Sequence, residues 1–174
     1  MKITIIILYF LSVVNVAFTQ TEIVWTKENT VKWENFEAQP QADSPQAASI
    51  NTGIKYTWKT KYIDGNQVLN YEIYAYMKPS KSWVKPSEKS DYLLEHEQLH
   101  FDITEYHARK LKQAFDNYKL KPSIKKDLKL IYRQIVKERI SMQNQYDKET
   151  QHSLDSVVQK QWQDKVSELL KEFR

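Results

Sequence analysis

Cysteine is missing from all 174 residues of this sequence. That excludes disulfides, thiol nucleophiles, thiolate-ligated zinc and lipid attachment through an N-terminal cysteine. It creates no stability problem, because a chain of this size can bury a core without staples. Glycine is scarce as well. From Ser87 onward there is none, and the only proline there is Pro122. A concentrated basic patch is also lacking. The net charge is +4 and the pI about 9.0, but the lysines are spread out, with a modest concentration from Lys119 to Lys129. Such a run is usually a solvated helix face. With no recognisable nucleic-acid module either, no nucleic-acid partner is expected. Internal repeats and low-complexity segments are likewise not found.

One long apolar run does exist, and it lies at the start. Met1-Lys2 is followed by uncharged, apolar sequence from Ile3 to Phe18, and the first acidic residue is Glu22. Charge, then an apolar block, then polar sequence reads as a secretory leader. The block is shorter than the roughly 20 residues a membrane span needs, and no basic cluster follows it to stop transfer. Ala17 and Thr19 suggest cleavage before Gln20. The expectation is a signal peptide over residues 1–19 and a single domain over 20–174. The mature chain is then exported, periplasmic or extracellular, with no stable membrane span.

The mature part divides by pattern. Ile23-Val24-Trp25 and Val31-Lys32-Trp33 are short strand candidates, and Ala38 to Ala48 reads as a loop. Ile50 to Lys61 and Gln67 to Lys78 alternate around Asp64-Gly65-Asn66, and Asp-Gly favours a tight hairpin turn. Ser82-Trp83-Val84 offers one more short strand. Beyond Ser87 apolar residues recur at helical spacing. Ser90 or Asp91 can cap a helix running to about Tyr118. Pro122-Ser123 starts a second, and a third carries Leu154, Val158, Trp162, Val166 and Leu169. Strands first and helices later imply an α+β fold, an antiparallel sheet followed by three long helices.

The first helix carries His96-Glu97-Gln98-Leu99-His100. At about 100° per residue the two imidazoles lie about 40° apart and about 6 Å along the axis, so they project the same way. That spacing lets two ring nitrogens converge on one zinc ion at about 2.0–2.1 Å. Glu97 lies beside the pair, where a carboxylate can serve as general base toward a water molecule. Leu93, Ile103, Leu111 and Ala114 share the histidine face, so the site should be backed by core. Gln98, Asp102, Glu105 and Arg109 fall on the opposite arc and are expected to be wet.

A catalytic zinc usually has three protein ligands and one open position. His107 shares the face but lies about 10 Å farther along an unbroken helix. Glu105 points away. The remaining histidine, His152, near the start of the last helix, is the expected third ligand, with Asp147, Glu149 and Asp155 as carboxylate alternatives. Tyr146 and His107 are the candidates for stabilising a developing oxyanion. Glu105, Asp102 or Asp147 could orient a ligand imidazole.

The run Leu93-Leu94-Glu95-His96-Glu97-Gln98-Leu99-His100-Phe101-Asp102-Ile103, continuing through Thr104 to Arg109, resembles a bacterial secreted zinc-dependent protease family long known only as a domain of unknown function. The likeness extends to Val31–Phe36, Ala47–Ile54, Ser82-Trp83-Val84 and the segment Tyr146-Asp147…Thr150…His152. It implies a small zincin-like metallopeptidase with ligands at His96 and His100, Glu97 as the catalytic residue, and further weight for His152. Ser153 stands where that family usually has glycine.

Together these features suggest an exported zinc-dependent hydrolase acting on a peptide or protein. In zincin-like folds an edge strand near the site helix often pairs with extended substrate, which would put Trp83 beside the cleft. Two other readings compete. In one, zinc only clamps the helices of an envelope-associated binding module, a reading that leaves Glu97 without a use. In the other, the aromatic-rich hairpin (Tyr56, Trp58, Tyr62, Tyr71, Tyr74, Tyr76) docks a partner or carbohydrate, although such alternation usually means one buried face.

Overall fold

The computed structural model describes residues 22–28, 30–41 and 43–173. The expected leader lies outside them. The element order is β1 (Ile23–Val24), β2 (Ala48–Ser49), β3 (Thr52–Ile63), β4 (Asn66–Met77), β5 (Trp83–Val84), α1 (Asp91–Asp116), α2 (Ile124–Glu149) and α3 (Ser156–Lys171). An antiparallel N-terminal sheet followed by three helices makes this an α+β fold.

β3 and β4 form the long hairpin that the alternation implied, in register from Thr52 opposite Met77 to Ile63 opposite Asn66. Asp64 and Gly65 turn the chain with φ of 51° and 79°, the left-handed pair that a two-residue hairpin turn with right-handed strand twist requires. β1 adds to β4, giving the order β1-β4-β3, while β2 and β5 make a separate two-stranded ribbon. Two local expectations are corrected. Val31–Trp33 is not a strand: a 3-10 turn occupies Trp33–Asn35, with the Lys32 N–H donating to the Asn35 side chain. The loop expected over residues 38–48 ends in strand β2.

The hairpin's inner face packs on α1 and α2. Ile54, Ile73, Ala75 and Met77 meet Leu111, Phe115 and Leu128 there, and Tyr56 and Tyr71 both set their rings edge-on to Phe115. The hydroxyl of Tyr71 is spent on Asp116. Of the hairpin's aromatics, Tyr56, Trp58 and Tyr71 pack against the core, while Tyr62 is exposed. A second apolar cluster, Leu99, Ile103, Tyr146, Trp162 and Val166, fills the space among the three helices. α1 is thus covered on two sides, and the arc expected to be wet is half-buried at Gln98, Asp102 and Arg109 and buried at Glu105. Asp102 accepts hydrogen bonds from Trp25 Nε1 (2.7 Å) and Gln98 Nε2 (2.8 Å), and Glu105, 6% exposed, holds Arg109. The N-terminal segment and α3 cover part of that face.

α1 starts where Ser90 Oγ accepts from the Leu93 N–H at 3.2 Å, and Asp91 in its first turn suits the helix dipole. Asp155 caps α3 in the same way. No helix among the described residues is long and apolar enough to cross a membrane. Ser90→Ala should lower the unfolding free energy by about 1 kcal/mol and Ser90→Asp should leave it nearly unchanged, as read by urea denaturation.

Candidate metal centre

α1 and α2 cross so that their polar side chains meet at one point. His96 Nε2 lies 3.2 Å, and His100 Nε2 2.9 Å, from the same oxygen, Asp147 Oδ1. The imidazoles stand edge to face with centroids 5.0 Å apart. Tyr146, fully buried on α2, stacks on the His96 ring at 4.5 Å and meets His100 edge-on at 5.0 Å. Packing therefore holds both rings in place. His96, His100 and Asp147 form a group that could hold a metal ion, with all three ligand atoms within 4.8 Å of one another.

The hydrogen bonds around His96 test that fit. Gln159 of α3 donates from Nε2 to the Tyr92 carbonyl (3.2 Å), which turns its Oε1 toward His96 Nδ1 at 3.1 Å. An amide oxygen can only accept, so Nδ1 carries the proton and a neutral His96 presents a bare Nε2. That lone pair faces a carboxylate oxygen at 3.2 Å. Two acceptors at this distance repel unless positive charge lies between them, either an added proton or a metal ion. Ligand atoms at about 2.0–2.1 Å from a tetrahedral zinc stand roughly 3.3 Å apart, close to the two imidazole–carboxylate separations of 3.2 and 2.9 Å. Burial pushes the Asp147 carboxyl up, but the hydrogen bonds and charges of His100 and His96 outweigh it and hold the group well below the usual carboxylate range. The site thus keeps Asp147 ionised and acceptor-only. Two imidazoles and an ionised carboxylate make a donor set that can hold a metal ion.

Glu97 sits beside this group and is treated oppositely. Burial pushes its carboxyl up to about 7, against the lowering effects of the His96 charge and of the Ile50 N–H. That N–H donates to Glu97 Oε2 at 2.8 Å. Ile50 follows β2, and residues 46–50 form one wall of a cavity of about 140 Å³. The histidine pair, Glu97, Asp147 and Gln143 form the opposite wall, with His152 also lining the cavity.

Other expected site residues are placed differently. His152 does not enter the three-atom group, and Asp147, one of the carboxylate alternatives, holds that position. Instead of starting α3, His152 lies in the turn after α2, where Gln151, His152 and Ser153 are all left-handed (φ 50°, 55° and 71°). Its N–H donates to the Asp147 carbonyl at 2.8 Å. Its ring is more than half exposed at the cavity rim, Nδ1 3.9 Å from Asp147 Oδ1. Tyr146 backs the imidazoles instead of facing the cavity, and burial pushes its phenol up. His107 is buried away from the site, Nδ1 donating to the Ile103 carbonyl. Trp83 is buried at 5% exposure, and β2, not β5, borders the cavity. Asp102 and Glu105 are engaged elsewhere, so neither orients an imidazole.

Gln159 and the Ile50 N–H were not foreseen. Gln159 lies 63 residues from His96 in sequence, and a backbone N–H leaves no residue signal at all. A larger cleft, about 400 Å³, opens on the far side of α1 between Trp25, Asp102 and Leu170. Its central polar groups are engaged in holding the N-terminal segment and α3: Trp25 binds Asp102, the Val31 N–H binds Gln98, and Arg109 binds Glu105 and the Leu170 carbonyl. It is a packing seam.

Residues 75–153 match a family described as bacterial protein of unknown function (DUF922). The match runs from the end of β4 through α1 and α2 to Ser153. It includes His96, Glu97, His100, Asp147 and His152, and stops short of α3. No curated protein and no solved structure matches the chain.

Two outcomes follow from this geometry. A non-glycine residue in the left-handed region costs about 1–2 kcal/mol, so Ser153→Gly should raise the unfolding free energy by about 1 kcal/mol after the added chain entropy is counted. Burial pushes His107 down to about 4 from 6.5. Between those values the unfolded chain binds a proton that the folded one does not, so stability falls as pH drops through that window. His107→Phe should remove roughly 2–3 kcal/mol of this acid sensitivity, visible as a flatter plot of unfolding free energy against pH.

Proposed function

We propose that this chain is an exported zinc-dependent hydrolase that cleaves peptide bonds, with Glu97 as general base. The observation that carries the reading is the convergence of His96 Nε2 and His100 Nε2 on Asp147 Oδ1, next to a Glu97 carboxyl that burial pushes up to about 7. Ion-pair networks that merely stabilise a fold do not need a separate buried acid beside them.

His96, His100 and Asp147 would hold the metal. When bound, zinc supplies Lewis acidity, lowering the pKa of water toward about 7 and polarising a carbonyl oxygen. Glu97 takes a proton from water during attack on the carbonyl carbon and delivers it to the leaving nitrogen. A carboxyl balanced near neutral pH suits both halves of that transfer. The Ile50 N–H keeps one oxygen of Glu97 oriented. With Asp147 as ligand, His152 is left at the rim to donate toward the developing oxyanion. β2 is paired only with β5 among the described residues and lines the cavity, so an extended peptide can add along its other edge. That arrangement favours a peptide over a compact small molecule. The apolar leader Ile3 to Phe18 supports export.

The purified wild type should contain one zinc per chain. His96→Ala and Asp147→Ala should lose it, whereas Glu97→Gln should keep the metal and lose turnover of a casein or peptide-library substrate by a factor of about 10²–10⁴. Equal turnover in Glu97→Gln and wild type would overturn the enzymatic reading and favour a binding module. His152→Ala should retain zinc with reduced turnover, and loss of zinc would make His152 a ligand.

A further inference from the structure

We propose that Gln159, in the first turn of α3, is the positioning residue that fixes His96 with Nε2 free for the metal, an inference that rests on the metal-site reading above. Gln159 is 1% exposed, so no solvent water can replace either of its hydrogen bonds. Its two ends are used in a fixed sense. The amide nitrogen can only donate, and the Tyr92 carbonyl on α1, 3.2 Å away, can only accept. The amide oxygen therefore faces His96 Nδ1 at 3.1 Å and obliges it to be the protonated nitrogen.

The same histidine is clamped from other directions. Tyr146 stacks on its face, and Asp147 Oδ1 lies at the far nitrogen. A ring flip would put C–H groups against the Gln159 oxygen and Asp147, so the amide sets both tautomer and ring orientation. A neutral amide does this without adding a third carboxyl beside Asp147 and Glu97. Partners of this kind typically change metal affinity by about 10–100-fold when removed. The role brings α3 into the site, although that helix supplies no ligand and lies outside the stretch matched by the family model.

The test uses full-length mature protein carrying Gln159→Leu, which removes the acceptor, and Gln159→Glu, which restores it without the donor to Tyr92. Zinc affinity is measured by competition with a chromophoric chelator. Histidine tautomers are read by long-range ¹H–¹⁵N NMR on metal-free protein in alkaline buffer, where imidazoles are neutral. Wild-type His96 should be protonated at Nδ1. Gln159→Leu should lose that preference and bind zinc about 10–100-fold more weakly, and Gln159→Glu should recover most of both.

Thermal unfolding of the metal-free variants separates this from simple packing. A lower midpoint in Gln159→Leu with unchanged tautomer and zinc affinity would overturn the proposal, as would an Nε2-protonated His96 in the wild type. Should the wild type bind no zinc while the tautomer shifts as stated, the metal reading falls and the orienting role of Gln159 stands.

Discussion

Two imidazole nitrogens on one helix point at a single carboxylate oxygen on another, and most of the molecule exists in a form that permits this. Asp147 Oδ1 must come within about 3 Å of both His96 and His100, which ties the crossing of α1 and α2. Groups of this polarity are costly to bury unless each has a partner. The surrounding scaffold meets that demand with directed hydrogen bonds and ring packing. Tyr146 backs both imidazoles, Gln159 occupies the outer nitrogen of His96, and Gln143 and Thr104 both donate to the His100 carbonyl. Losing one partner would leave a buried group unsatisfied, so the cluster behaves as a unit.

Two carboxyl groups near this point are driven in opposite directions. Asp147 faces two imidazoles and stays ionised, whereas Glu97, between the two histidines in the sequence of α1, is dominated by burial and pushed up to about 7. The difference arises from position. Asp147 projects from α2 into the two Nε2 atoms, while Glu97 projects along α1 toward the wall made by Ile50. The two environments thus keep one acid charged and bring the other close to half-protonation near neutral pH.

The turn between α2 and α3 shows what the scaffold tolerates to keep its rim in place. Three consecutive non-glycine residues, Gln151 to Ser153, adopt left-handed backbone, a conformation with a cost at each position. Hydrogen bonds from the His152 N–H to the Asp147 carbonyl, and from Leu154 and Asp155 to the Thr150 carbonyl, hold it. The turn sets the His152 ring over the carboxylate. Ser153, at 71°, has the largest positive φ of the three.

Local pattern in the sequence determined what depends on local geometry. Period-two alternation and Asp-Gly specified the β3–β4 hairpin and its turn. Helical spacing, the Ser90 cap and Pro122 specified three helices. The five-residue run from His96 to His100 specified two imidazoles on one face, because a helix fixes side chains four residues apart without help from the rest of the chain. What lies across space was decided by tertiary packing. Asp147 against His96 and His100, Gln159 behind His96, the Ile50 N–H on Glu97, the N-terminal segment against the outer arc of α1, and Tyr146 serving as a wall all rest on contacts between residues 46 to 77 apart. Such pairings depend on helix crossing and on a left-handed turn whose residues carry no glycine to announce it. Sequence spacing encodes neither.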